Sequence, residues 1–198
     1  MSRIYVANHV TLDGVMQAPG RAEEDTRDGF SRGGWATPRS NDEVGSALGE
    51  RVMKAHGMRL LLGHRSYDDM LTHWNEEGGP FKDGLNSAQK YVVSRSATAT
   101  LPWPNSTLVS GDVPSAVAEL KAGDGPDLCV MGSGELTQAL LAHDLIDELL
   151  LFVHPILLGT GRRLFPYGGA TAELRLVAAS TTSTGVTVAH YEVTAADR

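Results

Sequence analysis

One cysteine occurs in 198 residues, Cys129, so no disulfide can form within the chain and a reducing compartment is the default. It stands inside an apolar run and reads as a small buried hydrophobe. No stretch approaches the ~20 consecutive apolar residues that a membrane span needs. There is no Lys/Arg run, and the formal net charge is −7. An acidic chain without a basic patch argues against nucleic acid and anionic membranes as partners. The seven histidines are scattered, with no pair at metal-ligand spacing and no cysteine partners, so no metal centre is expected. A nucleophile elbow needs glycine at position 131, where Met131 stands. A phosphate-binding loop with Gly-Lys before Ser or Thr is absent. Internal repeats, low-complexity segments and a charged-then-apolar leader are also missing, and a cytoplasmic location is expected. The apolar fraction of 41% and charged fraction of 21% are ordinary for a globular chain. At this length one domain over 1–198 is expected.

What is present is a series of glycine-bearing segments in fixed order. Leu61-Leu62-Gly63-His64-Arg65-Ser66-Tyr67 and Leu128-Cys129-Val130-Met131-Gly132-Ser133-Gly134-Glu135-Leu136 each run from an apolar strand through glycine into a helical pattern. Such a turn leaves free backbone N–H groups at the helix start, and these suit phosphate, although a bare strand-to-helix turn also uses glycine. Between them Tyr91-Val92-Val93-Ser94-Arg95 ends a strand in a Ser-Arg pair. The fourth segment is Pro155-Ile156-Leu157-Leu158-Gly159-Thr160-Gly161-Arg162-Arg163-Leu164-Phe165. Its glycines relieve a bend or line a site, and its arginines greet an anion or face solvent. A dinucleotide fingerprint begun at Gly132 would need a third glycine at 137, where Thr137 stands.

The periodicity predicts strands at Ile4 to Val10, Arg59 to Gly63, Gln89 to Ser94, Thr107 to Ser110, Asp127 to Met131 and Asp147 to Pro155. It predicts helices at Glu43 to His56 with Asn41 or Asp42 as cap, Ser66 to Leu71, Pro114 to Ala122 and Gly134 to His143. Gln17 to Asn41 reads as a long loop, His73 to Gly84 as irregular, and Leu101 to Pro104 as a connector. Leu174 to Thr182 and Val186 to Val193 form a hairpin across Ser183-Thr184-Gly185. The fold class is therefore α/β: a mixed, mostly parallel sheet flanked by helices, with a C-terminal antiparallel hairpin. Leu149 to Val153 is apolar at every position, which calls for cover on both faces. A second copy of the chain or a helix of the same chain could supply it.

With Leu12-Asp13-Gly14, Trp103-Pro104-Asn105-Ser106 and Leu145-Ile146-Asp147-Glu148-Leu149, these motifs follow one another from about Ile4 to Tyr191. In this the chain resembles the dihydrofolate reductase superfamily, in the branch that includes the C-terminal reductase domain of bacterial riboflavin biosynthesis. The resemblance implies NADPH as cofactor and a homodimer. It implies that Gly132, Ser133, Gly134 and Glu135 hold the pyrophosphate, and that Ala7 and Asn8 hold the carboxamide edge. It further implies that Gly63, His64, Arg65, Ser66, Ser94 and Arg95 lie by the adenosine phosphate. In that family the glycine of the first turn is usually followed by arginine; here His64 takes the place and Arg65 follows. Arginine is always charged and histidine is not, so Arg95 is the compensating candidate for the 2′-phosphate. Trp35 and its loop would close over the substrate, with Val153, Gly161 and Arg162 at the substrate end.

Dihydrofolate reductases proper carry a carboxylate on the helix before the first turn. Counting back from Gly63, that place falls on Ala47, and the nearest carboxylates are Glu43 and Glu50. The candidate acids are therefore Asp13, at the end of the first strand, and Glu50. Asp13 also reads as a turn aspartate bonding its own backbone. The implied function is an NADPH-dependent reductase of a small pterin- or pyrimidine-like heterocycle. The alternatives are the ribosylamino-pyrimidine phosphate reductase of riboflavin synthesis and a non-catalytic nucleotide-binding protein on the same fold.

Overall fold

Apolar runs too short for helices and rich in Val, Ile and Leu become the central strands of one sheet. The computed structural model describes residues 1–54 and 57–194. The strands are β1 (Ile4–Thr11), β2 (Arg59–Gly63), β3 (Gln89–Val93), β4 (Ser106–Val109), β5 (Leu128–Met131), β6 (Glu148–His154), β7 (Glu173–Thr181) and β8 (Thr187–Thr194). They lie in the order β4-β3-β2-β5-β1-β6-β8-β7. Pairs from β4 to β6 are parallel, and β8 and β7 add antiparallel to one edge. The expected fold class is what the chain adopts.

The helices are α1 (Asp42–Lys54), α2 (His64–Glu77), α3 (Gly79–Ser87), α4 (Val113–Ala122) and α5 (Gly134–Leu141). Asn41 is the residue that caps α1, its Oδ1 accepting from the Val44 N–H at 3.3 Å. The end expected at His56 lies outside the described residues. The segment expected to be irregular, His73 to Gly84, is instead the end of α2 and most of α3. Its Trp74 and Phe81 pack with Leu85 against one cluster across a glycine break. Gly78 and Gly79 both have positive φ there, so the helical period is interrupted and hard to read from sequence.

Right-handed crossovers decide which face each helix covers. From β1 to β4 the chain steps toward one edge, and α1, α2 and α3 line one face through Leu48, Tyr67, Leu71 and Leu85. From β4 to β6 it steps back, and α4 and α5 line the other through Val117, Leu136, Leu140 and Leu141. The apolar run of β6 is thereby covered by its own chain. Leu149 and Leu151 face the α4–α5 side, and Leu150 and Phe152 face Val44 of α1 and the hairpin residues Val186 and Val188. Of the two covers left open by the sequence, a second copy or a helix of the same chain, the second is the one found.

The amino ends of the central strands are held by charge. Arg51 of α1 is buried, donates to Glu148 at 2.7 Å and Asp127 at 3.0 Å, and lies 4.1 Å above the ring centre of Tyr5. Glu148, also buried, is met by Arg3 at 2.8 Å and His190 at 3.0 Å. Removing one member leaves a charge in low dielectric without its partner. Arg51→Met should cost about 3 kcal/mol in urea unfolding, the low end for a broken buried pair because Arg3 and His190 remain on Glu148. A loss under about 0.5 kcal/mol, the size of an ordinary surface substitution, would contradict this role.

Candidate functional site

β2 and β5 lie side by side, but the helices that follow them leave to opposite faces. A crevice opens at such a switch point, outside the carboxyl ends of the strands. Two helix starts meet in it, α2 at His64 and α5 at Gly134. The hydroxyl of Ser133 joins them, accepting from the Gly63 N–H at 2.8 Å and donating to Ser66 Oγ at 2.9 Å. Ser133 does this from a left-handed conformation, φ 60° and ψ 54°, rare for a non-glycine residue. Gly132 before it has φ 64°, and a Cβ there would sit 3.2 Å from Ser66 Oγ. Asn8 fixes the same turn from β1, its Oδ1 accepting from the Gly132 N–H at 2.8 Å. The side chain of Asn8 thus orders the turn. Gly63 occupies the cap position of α2, and Ser66 bonds Ser133.

The first amides of each helix have no intrahelical acceptor, and both helix dipoles present partial positive charge to the crevice. Arg65 is exposed on the first turn of α2, with no ion-pair partner among the described residues. His64 is tied down, with Nδ1 3.2 Å from Asp68 and Nε2 3.3 Å from the Thr100 carbonyl. Ser94 accepts from the Ser96 N–H at 3.1 Å, which shapes the turn carrying Arg95. Arg95 reaches Glu135 at 2.7 Å, and Arg162 reaches the same carboxylate at 3.3 Å and Asp28 at 2.9 Å. All three pairs are exposed, so each is weak and open to competition by another anion. Glu135 therefore holds Arg95 and Arg162 beside the start of α5, with Arg27 at 4.0 Å.

The substrate-end candidates divide. Trp35 is buried, donates its indole N–H to the Gln17 carbonyl at 2.7 Å, and sets its edge against His154 with ring centres 5.3 Å apart. With Val15, Ala18, Phe30 and Ala36 it gives the long loop its own small core. Val153 faces the α4–α5 side, away from Trp35 and His154. Gly161 has φ 106°, and a Cβ there would lie 2.7 Å from the Phe30 ring, so this glycine is spent on packing.

The two acid candidates fare differently. Asp13 accepts from Thr11 Oγ1 at 2.6 Å, from the Gly159 N–H at 2.8 Å and from the Leu158 N–H at 3.2 Å. The Thr11 hydroxyl, then the two amides, hold its pKa down to about 2. A carboxylate so held is an anion at neutral pH and has no proton to give. Its place is the turn reading, in which it joins the end of β1 to the loop after β6. Glu50 is exposed on α1 without a hydrogen bond or ion pair among the described residues. Glu43 is bonded to the hairpin turn, accepting from the Ser183 N–H at 2.7 Å.

Sequence reasoning missed a histidine pair. His9 of β1 and His154 of β6 meet at 2.9 Å, Nδ1 to Nε2. They are 145 residues apart, and only the β1–β6 register joins them. The signal in the sequence is a histidine toward the end of each mostly apolar strand. Burial, then the neighbouring charge of His154 or of Arg39, pushes both pKa values down to about 4. The sign of the linkage follows. Unfolded histidine titrates near 6.5, so below that pH the unfolded chain takes up protons that the folded chain refuses. This part of the stability is complete above pH 6.5 and drains away as the pH falls toward 4. The urea midpoint should fall between about pH 6.5 and 4.5, and fall less in His9→Phe/His154→Phe. Equal slopes in both proteins would show that the pair is not held neutral.

Among the described residues no group of three or more His, Cys, Asp or Glu could hold a metal, and no helix is long and apolar enough to cross a membrane. Residues 3–188 match the family described as the RibD C-terminal domain. The chain is similar to YyaP of Bacillus subtilis, with 30% identity over 132 residues, 64% of this chain and 69% of that one. It shares its fold with dihydrofolate reductase from Enterococcus faecalis complexed with NADP(H), at a TM-score of 0.59 and 11% identity, covering 96% of this chain and 94% of that one. It shares it also with a diaminohydroxyphosphoribosylaminopyrimidine deaminase/5-amino-6-(5-phosphoribosylamino)uracil reductase from Thermotoga maritima, at a TM-score of 0.62 and 15% identity. That match covers 98% of this chain and 57% of the other. From the glycine turns, the sheet order and this match over nearly its whole length, the chain belongs to the RibD C-terminal domain family.

Proposed function

We propose that this chain is an NADPH-dependent reductase that passes a hydride to a small pterin- or pyrimidine-like heterocycle, as one domain over 1–198 in the cytoplasm. The observation that carries the reading is the pair of helix starts clamped by Ser133 at the switch between β2 and β5. Two dipoles and two sets of unpaired amides converging on one crevice suit a ligand with several phosphates. The residues fit NADPH in their chemistry. The turn from Gly132 to Glu135 and the start of α2 would hold the pyrophosphate. Arg65 and Arg95 would meet the 2′-phosphate, with His64 turned aside to Asp68 and Thr100. When bound, NADPH supplies the hydride. Ala7 and Asn8 would border the nicotinamide, and Trp35 with its loop would exclude water from the substrate.

The family and the two fold relatives support this class of reaction. The Thermotoga maritima protein is named a reductase of a phosphoribosylamino-uracil, which keeps that substrate among the candidates. Arg162 and Arg163, the residues expected to greet an anionic group, are already engaged with Asp28, Glu135 and Asp13. Asp13 and Glu50 do not serve as proton donors in this reading, and a water admitted to the crevice delivers the proton.

An NADPH-oxidation assay across pterins and pyrimidines, run beside a binding titration, tests the proposal. Binding with turnover on one class is expected; binding without turnover on any would favour the non-catalytic alternative. Arg95→Ala should weaken NADPH about tenfold, the low end for a charge-assisted contact because Arg95 is exposed, and leave NADH little changed. Equal weakening of both would remove Arg95 from the 2′-phosphate. Gly132→Val should abolish binding of both dinucleotides while the fold survives, and retained tight binding would sink the assignment of this turn.

The homodimer belongs to this proposal, on a surface other than the one first expected. Strand β7 is exposed at all nine positions, and Leu174, Leu176 and Val177 are 43–53% exposed. An open, apolar edge strand is a template for pairing with a second copy. Leu176→Lys should convert a dimer to a monomer in light scattering at micromolar concentration. A wild-type monomer under those conditions would end the idea.

A further inference from the structure

Seven of the eight positions of β1 are buried, and the exception is His9. It lies on the sheet face covered by α1, stacked on Phe152 with ring centres 4.9 Å apart. Ala47 of α1 packs against the same cluster as Phe152. His154, completely buried behind His9, has no hydrogen-bond partner on Nδ1. The charged group acting on it from the turn before α1 is Arg39. No carboxylate from a neighbouring element bonds either imidazole: Asp13 bonds Leu158 and Gly159, Glu43 bonds Ser183, and Glu50 is exposed.

Two neutral imidazoles share one proton between the facing nitrogens, which leaves two arrangements. If His9 Nδ1 donates, His154 must carry its own proton on Nδ1, as a buried N–H with no acceptor. If His154 Nε2 donates, its Nδ1 is a bare lone pair, and His9 carries its proton on Nε2. A buried donor left without an acceptor is the rarer defect, so the second arrangement is favoured. His9 then offers an Nε2–H that no described residue accepts. Asn8, the preceding residue, holds the Gly132 turn. Successive strand residues face opposite sides of the sheet, so this donor stands on the α1 face at the carboxyl half of β1, one residue along from Asn8.

We propose that His9 recognises the substrate. Its Nε2–H meets a hydrogen-bond acceptor, a carbonyl oxygen or ring nitrogen, on the edge of the planar heterocycle, and His154 is the positioning residue that fixes the tautomer. This rests on the reductase reading above. Because the donor is a neutral imidazole, the contact favours an uncharged lactam or ring-nitrogen edge over an anionic group.

The test is ¹⁵N NMR of the histidine side chains at neutral pH, on the protein with NADP⁺ and then with pterin or uracil added as probes. Before any probe, His9 should be the Nε2–H tautomer. Saturation with at least one probe should shift that signal. His9→Leu should weaken the responding probe about tenfold, the size of a lost hydrogen bond in a half-buried site. His9→Gln, whose amide nitrogen overlays Nε2, should restore most of that affinity. His154→Phe should leave His9 a mixture of tautomers and weaken the probe, with NADP⁺ affinity unchanged in each variant. An Nδ1–H tautomer at His9, or no probe-dependent shift with NADP⁺ bound, overturns the proposal without touching the reductase reading. Failure of NADP⁺ to bind while His9 still responds to a probe overturns the reductase reading and keeps the role of His9. Should His9→Leu fail to fold, the wild-type tautomer and the His9→Gln titration still decide.

Discussion

One hydroxyl joins the two halves of this molecule. Ser133 accepts from the amide of Gly63 and donates to Ser66, so the starts of α2 and α5 are held against each other where the chain changes its direction of travel across the sheet. The geometry is demanding. It needs Gly132 and Ser133 both at positive φ, and it needs Asn8 to take up the amide that the turn would otherwise leave unpaired. Backbone strain of this kind persists only where its surroundings over-determine it, and here β1, β2 and α2 supply the contacts. The result is a concentration of amides and dipole charge at one point of an acidic protein. Local field and net charge are separate quantities, and a chain of formal charge −7 can still present a site for an anion.

The titratable groups are sorted by the same architecture. At the amino ends of the strands buried Arg51 pairs with buried Glu148 and half-buried Asp127. At the carboxyl ends Asp13 is kept ionised by Thr11 and two amides, while His9 and His154 are kept neutral by burial. The carboxyl ends of the strands therefore carry two neutral imidazoles and, in Asp13, a carboxylate held as an anion. Such a lining suits positioning of a cofactor and a polar heterocycle more than it suits acid catalysis by a side chain.

Much of this was legible in the sequence. Strand periodicity gave the sheet, and the glycines at 63, 132 and 134 marked the turns that matter, because a tight strand-to-helix turn has a local signature. The parts that were not legible are those made by long-range pairing. His9 and His154 meet across a parallel ladder, and nothing near either in sequence announces the other. Asp13 was read first as a proton donor because its position was visible and its partners, Leu158 and Gly159, were not. Glycines hid the second half of α2 and all of α3, since a positive-φ break resets the helical period that a sequence pattern relies on. The apolar run of β6 calls for cover on both faces without naming its source, and α1, α5 and the hairpin supply it within the chain.

The central claim is that the paired helix starts form the cofactor site. Amide hydrogen exchange with and without NADPH tests it most directly, because it reads backbone protection residue by residue and needs no substrate. The account requires new protection at 63–66 and 132–136, with none along β7. NADPH that fails to bind, or that protects other segments and leaves both turns exchanging as before, would contradict it.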